Sequence, residues 1–531
     1  MATYEEYDSV IIGSGFGGIG AALSLAERGA KVTLLETLKY PGGCAGTFSR
    51  QGYRFEAGAT LSSGFGSGQL FKRWIDRYTL DIELEWLSPV IHFRSEGLAL
   101  DIPSDIKHLV DQLCDLPDAP EEGIRAFFSH QQSVAEPLWQ LFDDPNLLPP
   151  WTLSSLWSHL KKIPQYRPMI RDMNHSLAQV MQRYHVDTFK PLKLYLDSLC
   201  QITLQCGSQV AEAPFALSTM DYYGRGTAHV IGGLGKLAQE LCRALERAGG
   251  ELSLSNRVKG IEPVQGGGYL VHTRRGTLKT RTVVSNLLPE GTQQLLPSKF
   301  RWPKWVDRTQ REVDKGWGAA MFYLVAERPK NSSGGAEHWQ LVGDDQLPLI
   351  EGNHVFCSTS SQRELDRAPT GSHTLTLSTH IPMSTLRALP KDEKPAYINR
   401  VQSRMRQTFA ERCPEWSEQV YFGLSASPRT FERFTGRKEG LVGGIPRRRG
   451  WHNYIRLGPR SVAEGLYLVG DSSFPGQSTL ATAVGGERLA TLMTKRELSH
   501  LKNQRGTLSL PCSDEVSFND ALKPVIKKVG Q

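Results

Sequence analysis

The stretch Val10-Ile11-Ile12-Gly13-Ser14-Gly15-Phe16-Gly17-Gly18 sets the architecture of the first fifty residues. Its first three residues are a compact apolar run closed by glycine, the pattern of a buried strand. Beyond it, Ile19, Ala22, Leu23 and Ala26 recur at helical spacing between residues 17 and 28, and Gly29 stops the helix. Residues 31–35 form a second apolar run. Strand, glycine turn, helix and strand in this order make a βαβ unit around a buried parallel pair. Glycines 13, 15 and 18 satisfy GxGxxG, and each has a physical task. Gly13 permits the tight turn, Gly15 lets a pyrophosphate approach the backbone, and Gly18 lets the helix lie close on the strand. With Ser14 and Gly17 they open a helix whose free N–H groups and positive dipole end favour phosphate.

Glu36 ends the second strand, eighteen residues after Gly18. A carboxylate there accepts hydrogen bonds from the two ribose hydroxyls of an adenosine and repels a 2′-phosphate. A nicotinamide or a flavin dinucleotide fits this much, and two further stretches favour flavin. Glu36 is followed by Pro41-Gly42-Gly43-Cys44-Ala45-Gly46-Thr47, whose paired glycines Gly42 and Gly43 bring backbone N–H groups to the pyrophosphate from a second side. Far downstream, Gly470-Asp471 ends a late apolar run and precedes Pro475-Gly476-Gln477-Ser478-Thr479 and a helix. An acid at Asp471 suits the ribityl or pyrophosphate region, and the helix N-terminus stabilises negative charge on a reduced flavin. A nicotinamide dehydrogenase has no need for its two chain ends to meet on one cofactor. No second GxGxxG follows a strand, which argues against a separate NAD(P)H domain. The expected cofactor is FAD, with no metal.

The fingerprint, Gly42 to Thr47, Gly52-Tyr53-Arg54-Phe55-Glu56-Ala57-Gly58, Phe434-Thr435-Gly436-Arg437-Lys438-Glu439-Gly440-Leu441-Val442-Gly443-Gly444 and Gly470-Asp471-Ser472-Ser473-Phe474-Pro475-Gly476-Gln477-Ser478 together resemble the phytoene desaturase and carotenoid isomerase family of the flavin amine oxidase superfamily. The resemblance covers residues about 5 to 495. It implies that Val258 meets the adenine edge through its backbone and that Gly58, Ala59 and Thr60 pass near the isoalloxazine ring. It also implies a long apolar polyene as substrate. A desaturase passes a hydride from a substrate methylene to flavin N5 and loses the adjacent proton to a base or water. A cis–trans isomerase uses reduced flavin without net redox change, and a flavin amine oxidase is a third reading. The Gly-Asp-Ser-Ser-Phe-Pro-Gly-Gln run most resembles the carotenoid isomerase and terminal-ring-region desaturase branches. An external electron acceptor, quinone or oxygen, completes the desaturase reading. No catalytic residue stands out: Arg225 and His229 are candidates for the active-site wall, with a structural role favoured for His229, and Cys44 reads as a small packing residue.

Composition is consistent with this. The chain has 531 residues, 39% hydrophobic and 22% charged, as an ordinary globular protein of more than one lobe does. A net charge of +7 suits anionic lipid or an ordinary solvated basic surface, and no nucleic-acid motif accompanies it. Eight cysteines lack zinc spacing and read as reduced thiols. Residues 1–8 are unlike a targeting leader, and no apolar run is long enough to span a bilayer. The expectation is a cytoplasmic, peripherally membrane-associated enzyme. Leu147-Leu148-Pro149-Pro150-Trp151, then Leu153, Leu156, Trp157, Leu160 and Lys161-Lys162, form a candidate interfacial element. The expected fold is α/β. A discontinuous Rossmann-type FAD domain takes residues 5–70, 225–300 and 440–495, a helical substrate- and membrane-facing region 71–224, and a mixed substrate-domain sheet 301–439. A polar tail occupies 500–531.

Overall fold

The computed structural model describes residues 4–144, 147–149, 153–455 and 457–506. Strand β1 (Glu5–Ile12), helix α1 (Phe16–Ala26) and strand β2 (Val32–Leu35) form the expected βαβ unit. β1 sits centrally in an eight-stranded sheet, parallel to β2 on one side and to Thr277–Ser285 on the other, with Val10 opposite Thr33 and Val283. Val10 and Ile11 are fully buried because both faces of the sheet are covered, which is why this strand is an unbroken apolar run. Leu466–Leu468 adds in parallel to Thr277–Ser285, and so brings the late glycine–aspartate turn beside the first glycine turn. The sequence signals only Val283 and Val284 for that middle strand; it runs nine residues, its first half being polar and half exposed.

A second sheet has seven strands, in the order Val420–Ala426, Trp317–Glu327, Ser372–Pro382, His354–Thr359, His338–Val342, Ile91–Ser95, Leu98–Ile102. Its last two strands form a hairpin inside the stretch read as helical. Their alternating burial, with Ile91, Phe93, Leu100 and Ile102 inside, is a period of two, and Gly97 with φ 71° makes the turn. On Trp317–Glu327 the alternation separates two jobs. Ala320, Phe322 and Ala326 pack with Leu375, Leu377, Met405 and Trp416 in a core shared with helix Lys394–Arg412, whereas Ala319 and Met321 face the cavity described below.

The described residues between 106 and 219 supply six α-helices, from Ile106–Cys114 to Ala213–Thr219, around a core that includes Phe127, Leu192, Leu196 and Leu217, all fully buried. Burying each such side chain contributes about 1.5–3 kcal/mol. One helix departs from this, Leu153–Asp172. It leaves Leu153, Leu156, Trp157, Leu160, Ile163 and Ile170 exposed, although Leu147 and Leu148 just before it are buried. Trp151 lies outside the described residues. The last helix, Thr479–Gly506, continues into the stretch read as a polar tail; the remainder of that stretch, 507–531, lies outside the described residues. Among the described residues no helix is long and apolar enough to cross a membrane, and none of the seven described cysteines is paired.

Candidate functional site

The two glycine turns meet. Gly42 donates its N–H to the Ser14 carbonyl at 2.9 Å, and a Cβ on Gly43 would sit 3.3 Å from the Gly15 Cα. Gly15 caps α1 with no side-chain bond, so the first turn of the helix keeps donors for a ligand. A Cβ on Gly18 would lie 2.0 Å from the Gly13 carbonyl oxygen, the close helix–strand packing expected of the third glycine. Glu36 is buried. Its Oε2 accepts from Ser14 N at 2.9 Å and Ser14 Oγ at 2.7 Å, and its Oε1 accepts from Leu38 N at 2.8 Å. The carboxylate is thereby held in place, and each oxygen has lone pairs left for a ribose diol.

The late segment closes the same cleft. Asn286, at the end of Thr277–Ser285, donates from Nδ2 to the Gly13 carbonyl at 3.3 Å. Side chains at Gly15, Gly17 and Gly470 would each come within 2.7 Å of this one amide, so three glycines leave room for it. Asp471 is charge-paired: Arg437 Nη2 donates to its two oxygens at 2.9 and 2.7 Å. The buried Nε of Arg437 has no geometrically defined hydrogen-bond partner among the described residues, and the guanidinium lies against the Cys44 side chain. Cys44 lies beside this pair, and burial pushes its thiol up, which suits packing rather than a thiolate. Gly58 lies against the Cys44 carbonyl, 2.8 Å from where its Cβ would be. Gln477 donates to the Ile202 carbonyl at 2.7 Å and accepts from Gln205 at 2.9 Å. Ser478 Oγ accepts from Ala481 N at 3.0 Å, capping the last helix, and Thr479 shares a 2.6 Å hydrogen bond with Ser62.

These groups line one cavity of about 720 Å³. Gly13, Gly15, Gly17, Glu36, Gly42, Gly43, Gly58, Ala59, Val258, Gly470, Asp471, Gln477, Ser478 and Thr479 all reach it. Ser14, Gly18 and Gly476 stand behind its wall: Ser14 orients Glu36, Gly18 seats α1, and Gly476 makes space for Arg447. Asn286, Arg437 and Arg447 line the cavity without having been singled out by sequence. Arg437 lies within the 434–444 stretch, but nothing local to it shows that it pairs with Asp471.

The same cavity has an apolar part, called the apolar limb below, lined by Leu138, Trp139, Phe142, Ile202, Leu204, Phe215, Met321 and Phe356. Thr60 on this wall begins a buried chain: it shares a 2.6 Å hydrogen bond with Ser358, whose hydroxyl lies 2.6 Å from His338 Nδ1. His338 packs beside His229, and burial together with the neighbouring histidine holds it well below the usual imidazole range. Neither catalytic candidate reaches the cavity. His229 is bound to Glu364 at 3.0 Å, and Arg225 pairs with Glu136 over the ring of Trp139. The tie to Glu364 supports the structural role for His229.

The cleft fits a flavin dinucleotide by its donor set and by the side chains its glycines lack. Comparison with known proteins agrees. The profile of flavin containing amine oxidoreductases matches residues 16–490. The chain is 26% identical to the chloroplastic prolycopene isomerase of Arabidopsis thaliana, over 90% of this chain and 81% of that one. It is 23% identical to the neurosporene-forming phytoene desaturase of Rhodobacter capsulatus, over 91% and 93%. A structure of putrescine oxidase with bound putrescine superposes with a TM-score of 0.60 at 14% identity, covering 92% of this chain and 99% of that one, and so shares the fold. With the glycine turns, Glu36 and the late Gly470-Asp471 converging on one cavity, the chain belongs to the flavin containing amine oxidoreductase family, with a flavin cofactor and oxidoreductase chemistry.

Proposed function

We propose that this protein is an FAD-dependent carotenoid desaturase, and the observation that carries this reading is the apolar limb that opens from the flavin cleft. In this reading Gly13, Gly15, Gly17 and Gly42-Gly43 would hold the pyrophosphate, Glu36 the adenosine ribose and Val258 the adenine edge. Gly58, Ala59 and the start of the helix at Thr479 would flank the ring. When bound, the flavin would supply a two-electron acceptor for a hydride from the substrate, with the adjacent proton passing to water and an outside quinone or oxygen taking the electrons from the reduced flavin. The protein's own part is to hold a long unsaturated chain along Leu138, Phe142, Phe215 and Phe356 and to keep water from it. Arg447, a cation in the same wall, disfavours the amine substrates of an amine oxidase.

A second reading, cis–trans isomerisation of a polyene without net redox change, is favoured by the similarity to prolycopene isomerase. Incubating the flavin-loaded protein with a panel of carotenoids and weighing the products separates the two. Loss of two hydrogens per new double bond is the expected result, unchanged mass with altered retention supports the isomerase, and no change with any polyene overturns both.

A polyene of this kind partitions into lipid, and helix Leu153–Asp172 is the element we assign to meeting it. Leu153, Leu156, Trp157, Leu160 and Ile163 share one face at spacings of three and four, and Trp157 is 62% exposed. Lys161, lying 5.6 Å over the Trp157 ring, with Lys162, Arg167 and Arg171, suits anionic headgroups. Replacing Leu156, Trp157 and Leu160 together by serine is expected to weaken co-sedimentation with phosphatidylglycerol vesicles by about tenfold or more with flavin content unchanged. Equal binding by the variant removes this element from the proposal.

A further inference from the structure

The wall of the apolar limb contains a guanidinium that a pure hydrocarbon would not use. Arg447 is fixed by its backbone on both sides, its N–H donating to the Leu204 carbonyl at 3.0 Å and its carbonyl accepting from Glu212 N at 3.0 Å. Its head lies between two phenyl rings, 5.1 Å from the centre of Phe215 and 5.8 Å from that of Phe474. Nη2 donates to the Pro475 carbonyl at 2.5 Å. Nε and Nη1 have no acceptor, and no carboxylate pairs with the group, among the described residues. Glu212 is committed elsewhere: it accepts from Asn174 N, Gly450 N and the Tyr454 hydroxyl. Burial without a counter-charge pushes Arg447 down to about 10.

The group is half-buried, and its cation faces a largely apolar cavity with no carboxylate beside it among the described residues. Anchoring the Pro475 carbonyl uses only one of five N–H groups, a task a neutral amide would perform. The remaining donors form a planar fork, the geometry that matches a carboxylate with two parallel hydrogen bonds. Phe215 and Phe474 flank that fork and lower the polarity around any ion pair made there. We propose that Arg447 is the docking point for a carboxylate on the substrate, so that the occupant of the apolar limb is an unsaturated chain bearing a carboxylate. This rests on the reading of the limb as the substrate site and specifies one end of what binds there.

The test is calorimetric titration of the flavin-loaded protein with a long polyene carboxylic acid, its methyl ester and a polyene hydrocarbon, and in parallel with oleate and methyl oleate. The acid is expected to bind about thirtyfold more tightly than its ester. Arg447→Met is expected to bring that preference below about threefold by weakening the acid alone, and Arg447→Lys to keep part of it. Equal affinity for acid and ester in the native protein overturns the proposal, as does equal weakening of both by Arg447→Met. A shift in the flavin reduction potential with the preference intact overturns it too, because the cation then serves the cofactor. If oleate shows the Arg447-dependent preference and no polyene binds, the carboxylate site stands and the polyene reading falls. If polyene acid, ester and hydrocarbon bind alike, the polyene reading stands and the carboxylate site falls.

Discussion

Gly18→Ala is expected to leave the protein almost without flavin. The added methyl carbon would lie 2.0 Å from the Gly13 carbonyl oxygen, 3.2 Å from its carbon and 3.3 Å from the Asn286 Cβ. The first two are backbone atoms at the tight turn and cannot swing aside as a side-chain end does. α1 has no room to retreat either, because every one of its eleven residues is buried. Relief must come from moving the helix off the strand at the end that carries the phosphate donors. Overpacking of this kind costs about 1–3 kcal/mol in stability. The larger effect is on the ligand, since a shift of about 1 Å in aligned donors suffices to lose most of their contribution. Visible flavin absorbance per protein, measured after gel filtration, is expected to fall by about tenfold or more, the equivalent of 1.4 kcal/mol or above. Gly260→Ala is the control: its nearest neighbours would be 3.7 Å from the new carbon, and flavin content is expected to stay native. A Gly18→Ala protein that purifies with native flavin content would show that the third glycine is not needed for close packing here.

What could be read from the chain alone follows from how local each determinant is. Gly13, Gly15, Gly18 and Glu36 lie within twenty-four residues, and the strand–turn–helix order places them before any long-range contact is known. Gly470-Asp471 is distant, yet its own turn and the helix after it advertise the same chemistry. Asn286 carries no such signal. Its importance lies in three glycines from both ends of the chain making room for one amide, which the parallel pairings of Thr277–Ser285 with β1 and with Leu466–Leu468 bring about. Arg437 and Arg447 are hidden for a related reason, because a charged residue in a glycine-rich loop looks solvated until its neighbours are known. The hairpin Ile91–Ser95 and Leu98–Ile102 is short and flanked by helices, and its period of two covers too few residues to outweigh them. Trp157 illustrates the opposite case: the helical spacing was legible, but which way its apolar stripe faces is decided by packing.

The largest stability effect is expected at a group that touches neither cofactor nor substrate. Arg367 is only 2% exposed and bridges two buried carboxylates, donating from Nη2 to Glu56 at 2.5 Å and from Nε to Glu364 at 3.0 Å. Glu364 also accepts from Ser361 N at 2.7 Å, Gly232 N at 2.8 Å and His229 at 3.0 Å, while Glu56 accepts from Thr47 and from Leu234 N at the start of helix Leu234–Arg247. The cluster ties the strand that leads into Gly58, the 361–367 loop and that helix together, and so fixes one wall of the cavity. Burial pushes both carboxyls up. At Glu364, Arg367 and His229 outweigh it and hold the group well below the carboxylate range; at Glu56 burial prevails. In the native protein Glu364 therefore contributes stability that is present above the unfolded value of about 4.3 and is lost as pH falls through its depressed value. Arg367→Met removes the cation from both. Glu56, already raised in the native protein, is then raised further, and Glu364 loses the largest influence that lowers it, so the variant's folded state binds more protons than the native one and its stability falls relative to native as pH rises. Arg367→Met is expected to lower stability by about 3–5 kcal/mol at pH about 8, with part of the loss recovered at pH about 5. Urea midpoints of native and variant protein at those two values check it. A variant whose midpoint moves with pH in parallel with the native protein would mean that the two carboxylates are held by their backbone donors and not by Arg367.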